Sequence, residues 1–113
     1  MKKEAWQGYF SAPEPGRSMK PRTAGFTMVL DKGLGPNGVE DLIATAADYV
    51  DFLKLSFGTS AFYSESVLRK KVEIATSAGV DIYPGGTFLE VMVWQNGYLR
   101  VLDRARELGF TAI

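Results

Sequence analysis

The sequence predicts an α/β fold in which strands and helices alternate around a parallel sheet. Short apolar runs begin near Gly25, Val50, Val80 and Phe110, a recurrence of about 25 to 30 residues that matches one strand–helix unit. Between them, apolar residues fall at helical spacing with charges on the other faces. The order β-α-β-α-β-α-β means parallel strands covered by helices, either an open doubly wound sheet or a barrel.

Residues 1–23 form the lead-in. From Gln7 to Thr23 the chain is rich in Pro, Gly and Ser and reads as irregular. Gly25-Phe26-Thr27-Met28-Val29-Leu30 is a short apolar run expected to be a buried strand. After the loop Asp31–Gly38, Val39, Leu42, Ile43, Ala46 and Tyr49 define a helix. Val50–Leu55 is the second strand. Ser64 is a suitable N-cap for a helix carrying Val67, Leu68, Val72 and Ala75, which Gly79 ends. Val80–Tyr83 is the third strand, stopped by Pro84-Gly85-Gly86. Thr87 opens a helical stretch interrupted at Asn96-Gly97. Tyr98, Val101, Leu102, Ala105 and Leu108 make a further stripe ending at Gly109, and Phe110–Ile113 begins a fourth strand.

Composition narrows the chemistry. The 113 residues carry 13 basic and 13 acidic side chains, so no polyelectrolyte surface is expected and nucleic acid is not an expected partner. Cysteine and histidine are both absent. Thiol nucleophiles, His-dependent triads and zinc sites are thereby excluded, and acid–base work falls to Lys, Asp, Glu or Tyr. No apolar run is long enough for a signal peptide or a membrane span, so a cytoplasmic protein is expected.

In parallel α/β folds ligands bind at the C-terminal ends of the strands. Three loops fall there: Asp31–Gly38, Ser56–Tyr63 and Pro84–Thr87. Side chains alternate along a strand, so Phe52 and Lys54 share one face and Leu53 and Leu55 the other. If the apolar pair meets the helices, Lys54 points into the mouth of the site, suited to clamping an anion or donating a proton. The same alternation groups Thr27, Val29 and Asp31, placing a carboxylate at the rim for a divalent cation, or simply for a turn. Gly58-Thr59-Ser60 and Gly85-Gly86-Thr87 offer backbone N–H groups and hydroxyls near following helices, suited to a phosphate or sulfonate. With Lys32 and Lys54 they indicate a small anionic ligand. Glu90, one turn into the next helix, is a second candidate carboxylate. Gly33, Gly35 and Gly38 fit a dinucleotide-binding spacing, but Asp31 and Lys32 intervene after the strand and no acid ends the second strand, which argues against a nucleotide.

Three motifs in order, Gly25–Pro36, Asp51–Leu55 with Gly58-Thr59-Ser60, and Asp81–Thr87, closely resemble the phosphosulfolactate synthases. The resemblance runs from about Lys20 to Ile113. It implies a (β/α)8 TIM barrel that adds sulfite to phosphoenolpyruvate with Mg2+, giving 2-phospho-3-sulfolactate on the way to coenzyme M or sulfolactate. A barrel needs roughly 250 residues, so residues 24–113 are expected to form its N-terminal part, about three and a half strand–helix units, with the C-terminal half absent or supplied by a homo-oligomer. Within this reading Lys54 and Lys32 are catalytic. Gly58, Thr59, Ser60, Gly85, Gly86 and Thr87 bind substrate, and Asp31 and Glu90 hold the metal. A non-catalytic, stress-associated relative is the alternative.

Overall fold

The computed structural model describes residues 4–113; the first three residues of the expected lead-in 1–23 lie outside the described residues. The elements are β1 (Met28–Asp31), α1 (Pro36–Ala46), β2 (Phe52–Leu55), a 3-10 segment (Ser56–Phe62), α2 (Glu65–Ser77), β3 (Asp81–Tyr83), α3 (Gly86–Trp94) and α4 (Tyr98–Leu108). The three strands form one parallel sheet in the order β1-β2-β3. No described helix is long and apolar enough to cross a membrane.

The sheet has two unlike faces. Register places Val29 beside Leu53 and Leu53 beside Ile82, and this row, with Leu55, packs on Val39 of α1 and Leu68, Val72 and Ala75 of α2. Each fully buried Leu or Ile in that layer contributes roughly 1.5–3 kcal/mol. The opposite face carries Met28, Leu30, Phe52, Lys54 and Tyr83. There Phe26, Phe52 and Tyr83 stack edge to face, and Phe26, Met28 and Leu30 are exposed.

Local chemistry explains most element ends. Pro36 opens α1, where its missing N–H costs no helix bond, so the helix takes in the last residues of the expected Asp31–Gly38 loop. Ser64 caps α2 by accepting the Val67 N–H, as the sequence indicated. Gly109 closes α4 in the left-handed conformation that favours glycine. Arg104 bridges Glu65 and Glu107, tying α4 to α2 at the surface.

One element differs from expectation. Phe110–Ile113 is not a strand. Thr111 N and Ala112 N both donate to Ile82 O, at 3.2 and 3.3 Å, while the Ile82 N–H is taken by the Thr111 hydroxyl at 3.0 Å. A side chain thus occupies the donor that a strand partner's carbonyl would need, and the ladder does not start.

At the N-terminal ends of the strands the lead-in is pinned by charge. Lys20 Nζ donates to Ala47 O, Val50 O and Gly79 O at 3.1, 2.7 and 2.8 Å, using all three ammonium donors. Arg22 pairs with buried Asp51 at 3.0 Å, and the Thr27 N–H reaches the other Asp51 oxygen at 2.7 Å. The Thr27 hydrogen bond, helped by Arg22, holds the Asp51 carboxyl below its ordinary pKa in spite of burial. A carboxyl whose pKa is lowered in the folded state adds stability above its unfolded pKa, and this is lost as pH falls through the folded one. Asp51→Asn is therefore expected to flatten the acid limb of a stability profile. Urea midpoints taken from about pH 6 to about pH 2 check this, with wild type losing more stability than the variant. Parallel limbs would contradict it.

Candidate active site

The C-terminal ends of the strands bring three loops together. Lys54 is half-buried on the open face, opposite the helix-facing Leu53 and Leu55, as alternation requires. Beside it lies the turn after β3. Gly85 is buried with φ 91°, and a Cβ there would sit 2.5 Å from Leu55 O and 3.5 Å from Lys54 Cε. The backbone of this turn is thus pressed directly on the end of β2, which only glycine permits.

The turn after β2 closes the second side. Phe57 and Gly58 both adopt left-handed backbone angles, φ 58° and 75°. For phenylalanine this is a strained conformation. It turns the exposed Phe57 ring toward Lys32 of the first loop, whose Nζ lies 5.9 Å from the ring centroid, within cation–π range. A Cβ on Gly58 would meet Thr87 Cγ2 at 3.9 Å, so the second loop also abuts the start of α3. Gly86 and Thr87 are exposed in the first turn of that helix, whose leading N–H groups have no partner within the helix. The Thr59 hydroxyl is buried and has no hydrogen-bond partner among the described residues.

Lys32, Lys54, Gly58, Gly85 and Thr87 therefore line one rim. Ser60 departs from it: buried, it lines a cavity of about 110 Å3 with Leu68, Phe88 and Val101, on the helix side.

Asp31 takes the turn-forming one of its two expected roles. It pairs with Leu55 in register and so faces the helix layer, on the opposite face from Lys54. Its Oδ1 accepts Gly33 N and Leu34 N at 2.8 and 2.7 Å, the turn-forming role of a loop Asp. Its Oδ2 lies 2.7 Å from Lys71 Nζ, with both side chains fully buried. That approach is a charge contact rather than an aligned hydrogen bond, since Oδ2 has no hydrogen-bonding partner. Glu90 is exposed on α3. Among the described residues no three or more acidic side chains gather as a metal site, while Mg2+ is commonly held by only one or two carboxylates.

Lys71 and Phe57 were not legible as site residues, although Lys71 carried a signal. Leu68, Lys71, Val72 and Ala75 follow the i, i+3, i+4, i+7 spacing of a buried stripe, which places a lysine where a core residue belongs.

Residues 15–113 match the family model described as (2R)-phospho-3-sulfolactate synthase (ComA). The chain belongs to this family. It is 41% identical over 99 residues to the phosphosulfolactate synthase of Methanothermobacter thermautotrophicus, covering 88% of this chain and 38% of that protein. The phosphosulfolactate synthase of Methanocaldococcus jannaschii is 39% identical over 89 residues, 79% of this chain and 36% of that protein. That of Bacillus subtilis is 35% identical over 86 residues, 76% and 33% of the two. The chain thus spans about a third to two-fifths of the length of these synthases. The rim residues from Lys32 to Thr87 all lie inside the stretch that the family model matches.

Proposed function

We propose that this chain supplies the substrate-binding part of a (β/α)8 barrel that joins sulfite to phosphoenolpyruvate as a cytoplasmic phosphosulfolactate synthase. The observation that carries this reading is Lys54, on the open face at the C-terminal end of β2 and beside the Gly85 turn, in a member of the synthase family. The exposed apolar residues Phe26, Met28 and Leu30 on that same face support the barrel, because an uncovered patch of this kind calls for further strands. Those strands come from more of the polypeptide or from a second copy.

In the reaction the sulfite sulfur attacks the methylene carbon. The carbon–sulfur bond forms as the double bond opens, and negative charge moves onto the carboxylate side before a proton is delivered to the phosphate-bearing carbon. Lys54 binds that carboxylate and stabilises the developing charge, the kind of preorganised electrostatic contact that accelerates such steps. The first turn of α3, at Gly86 and Thr87, holds the phosphate with its free N–H groups. Gly58 and Thr59 complete that cradle with backbone N–H donors. Lys32, held over Phe57, adds positive charge at the entrance. The resemblance implies Mg2+, but Asp31 is committed to Lys71 and Glu90 stands exposed, so no step here runs through a metal held by these residues.

Phosphorus NMR of phosphoenolpyruvate and sulfite with the full chain, in buffer with and without Mg2+, tests the activity. A new phosphate ester that requires both substrates is the expected result. Unchanged phosphoenolpyruvate under all conditions with a full-length barrel containing these residues, of which this chain spans about a third to two-fifths, would refute the synthase reading and favour a non-catalytic relative.

A further inference from the structure

We propose that Lys71 is a positioning residue, a buried ammonium that couples the first two rim loops from beneath and so sets the spacing of Lys32 and the Lys54 site; the functional part of this rests on the reading above. Three contacts converge on its Nζ. It lies 2.7 Å from Asp31 Oδ2, donates to Leu34 O at 2.6 Å and sits 4.0 Å from the centroid of the Tyr63 ring. Asp31 and Leu34 belong to the first loop, and Tyr63 ends the segment that forms the second. Through Asp31 the same ion pair also fixes the N–H groups of Gly33 and Leu34. The Tyr63 hydroxyl is buried with no partner among the described residues, so its ring face, not its oxygen, gives that residue a defined contact.

The cost of this arrangement indicates what it is for. Both charges are withdrawn from water, and a buried ion pair is often no more stabilising than apolar groups of the same volume. A leucine at position 71 would continue the stripe of Leu68, Val72 and Ala75. What an ammonium adds is direction: it fixes one arrangement of two loops whose visible contact above is the weaker one of Lys32 with Phe57. Loops that must hold an anion are better ordered before binding than by it.

The test uses hydrogen exchange and calorimetric titration with phosphoenolpyruvate on the full chain. Lys71→Met alone strands a buried carboxylate and is liable to unfold. The double variant Asp31→Asn with Lys71→Met keeps an acceptor for Gly33 and Leu34 and removes the charges. In it the segments 32–38 and 56–63 are expected to exchange about tenfold faster while β2 stays as protected as in wild type. The dissociation constant for phosphoenolpyruvate should rise about tenfold while β2 stays protected, which a residue that adds only to global stability would not produce. Wild-type exchange in both loops of the folded double variant overturns the proposal. Should that variant unfold, Tyr63→Leu decides: it leaves the ion pair in place, and faster exchange confined to 56–63 is expected, with unchanged exchange counting against the proposal. If a full-length barrel containing these residues does not bind phosphoenolpyruvate, the functional reading fails, while loop exchange still judges the coupling.

Discussion

Gly85→Ala is expected to destabilise the protein by about 2–5 kcal/mol, combining a side chain at a left-handed position with a backbone collision. Its φ is 91°, and the added Cβ would lie 2.5 Å from Leu55 O. A main-chain carbonyl at the end of the central strand cannot swing aside as a side-chain tip can, so either β2 or the turn must shift. The thermal midpoint should fall by roughly 8–20 °C. Gly86→Ala is the control, because nothing lies within 4 Å of its Cβ position and its φ is not positive. That change should stay within about 0.5 kcal/mol of wild type. Equal effects at the two positions would mean that the Gly85 turn is not held against β2. Because the displaced atoms also neighbour Lys54, residual folded Gly85→Ala protein should bind phosphoenolpyruvate more weakly than Gly86→Ala does.

Lys54→Met is expected to lower kcat by about two to three orders of magnitude, the usual consequence of losing one group aimed at charge that develops in the transition state. Stability should change by no more than about 1 kcal/mol, since Lys54 is half-buried and makes no ion pair among the described residues. Methionine keeps the length of the stem and removes the charge, which separates electrostatics from packing. Steady-state kinetics on the wild-type and variant enzymes check this. If kcat stays within about threefold of wild type, Lys54 is not the group that carries the chemistry. A rise in KM alone would assign it to holding the ground-state anion instead.

The two strands that frame the site were not equally legible. In β2 a single charged residue interrupts an apolar run, so strict alternation identifies which face Lys54 takes and which face Leu53 and Leu55 give to the helices. In β1 the run Met28-Val29-Leu30 is apolar on both faces. Nothing in it marks the helix side, so alternation groups Asp31 with Val29 without saying which surface the pair takes. Only the register, which sets Asp31 beside Leu55 and Leu30 beside Lys54, decides the matter. The glycine loops show the same limit. Their composition marks them as turns near helix starts, but that Gly85 touches Leu55 while Ser60 turns inward depends on how the loops pack.

From the sequence alone came the alternation of elements, the Ser64 and Gly109 caps, the lack of thiol and imidazole groups among these 113 residues, and the position of Lys54. These follow from local propensity, periodicity and composition, which operate within a few residues. The tertiary structure decided the fate of Asp31, the contact of Lys32 with Phe57 and the burial of Lys71. Lys71 meets Leu34 across 37 positions of chain, and the free energy of a buried charge is set by what surrounds it in space, which spacing along the chain does not specify.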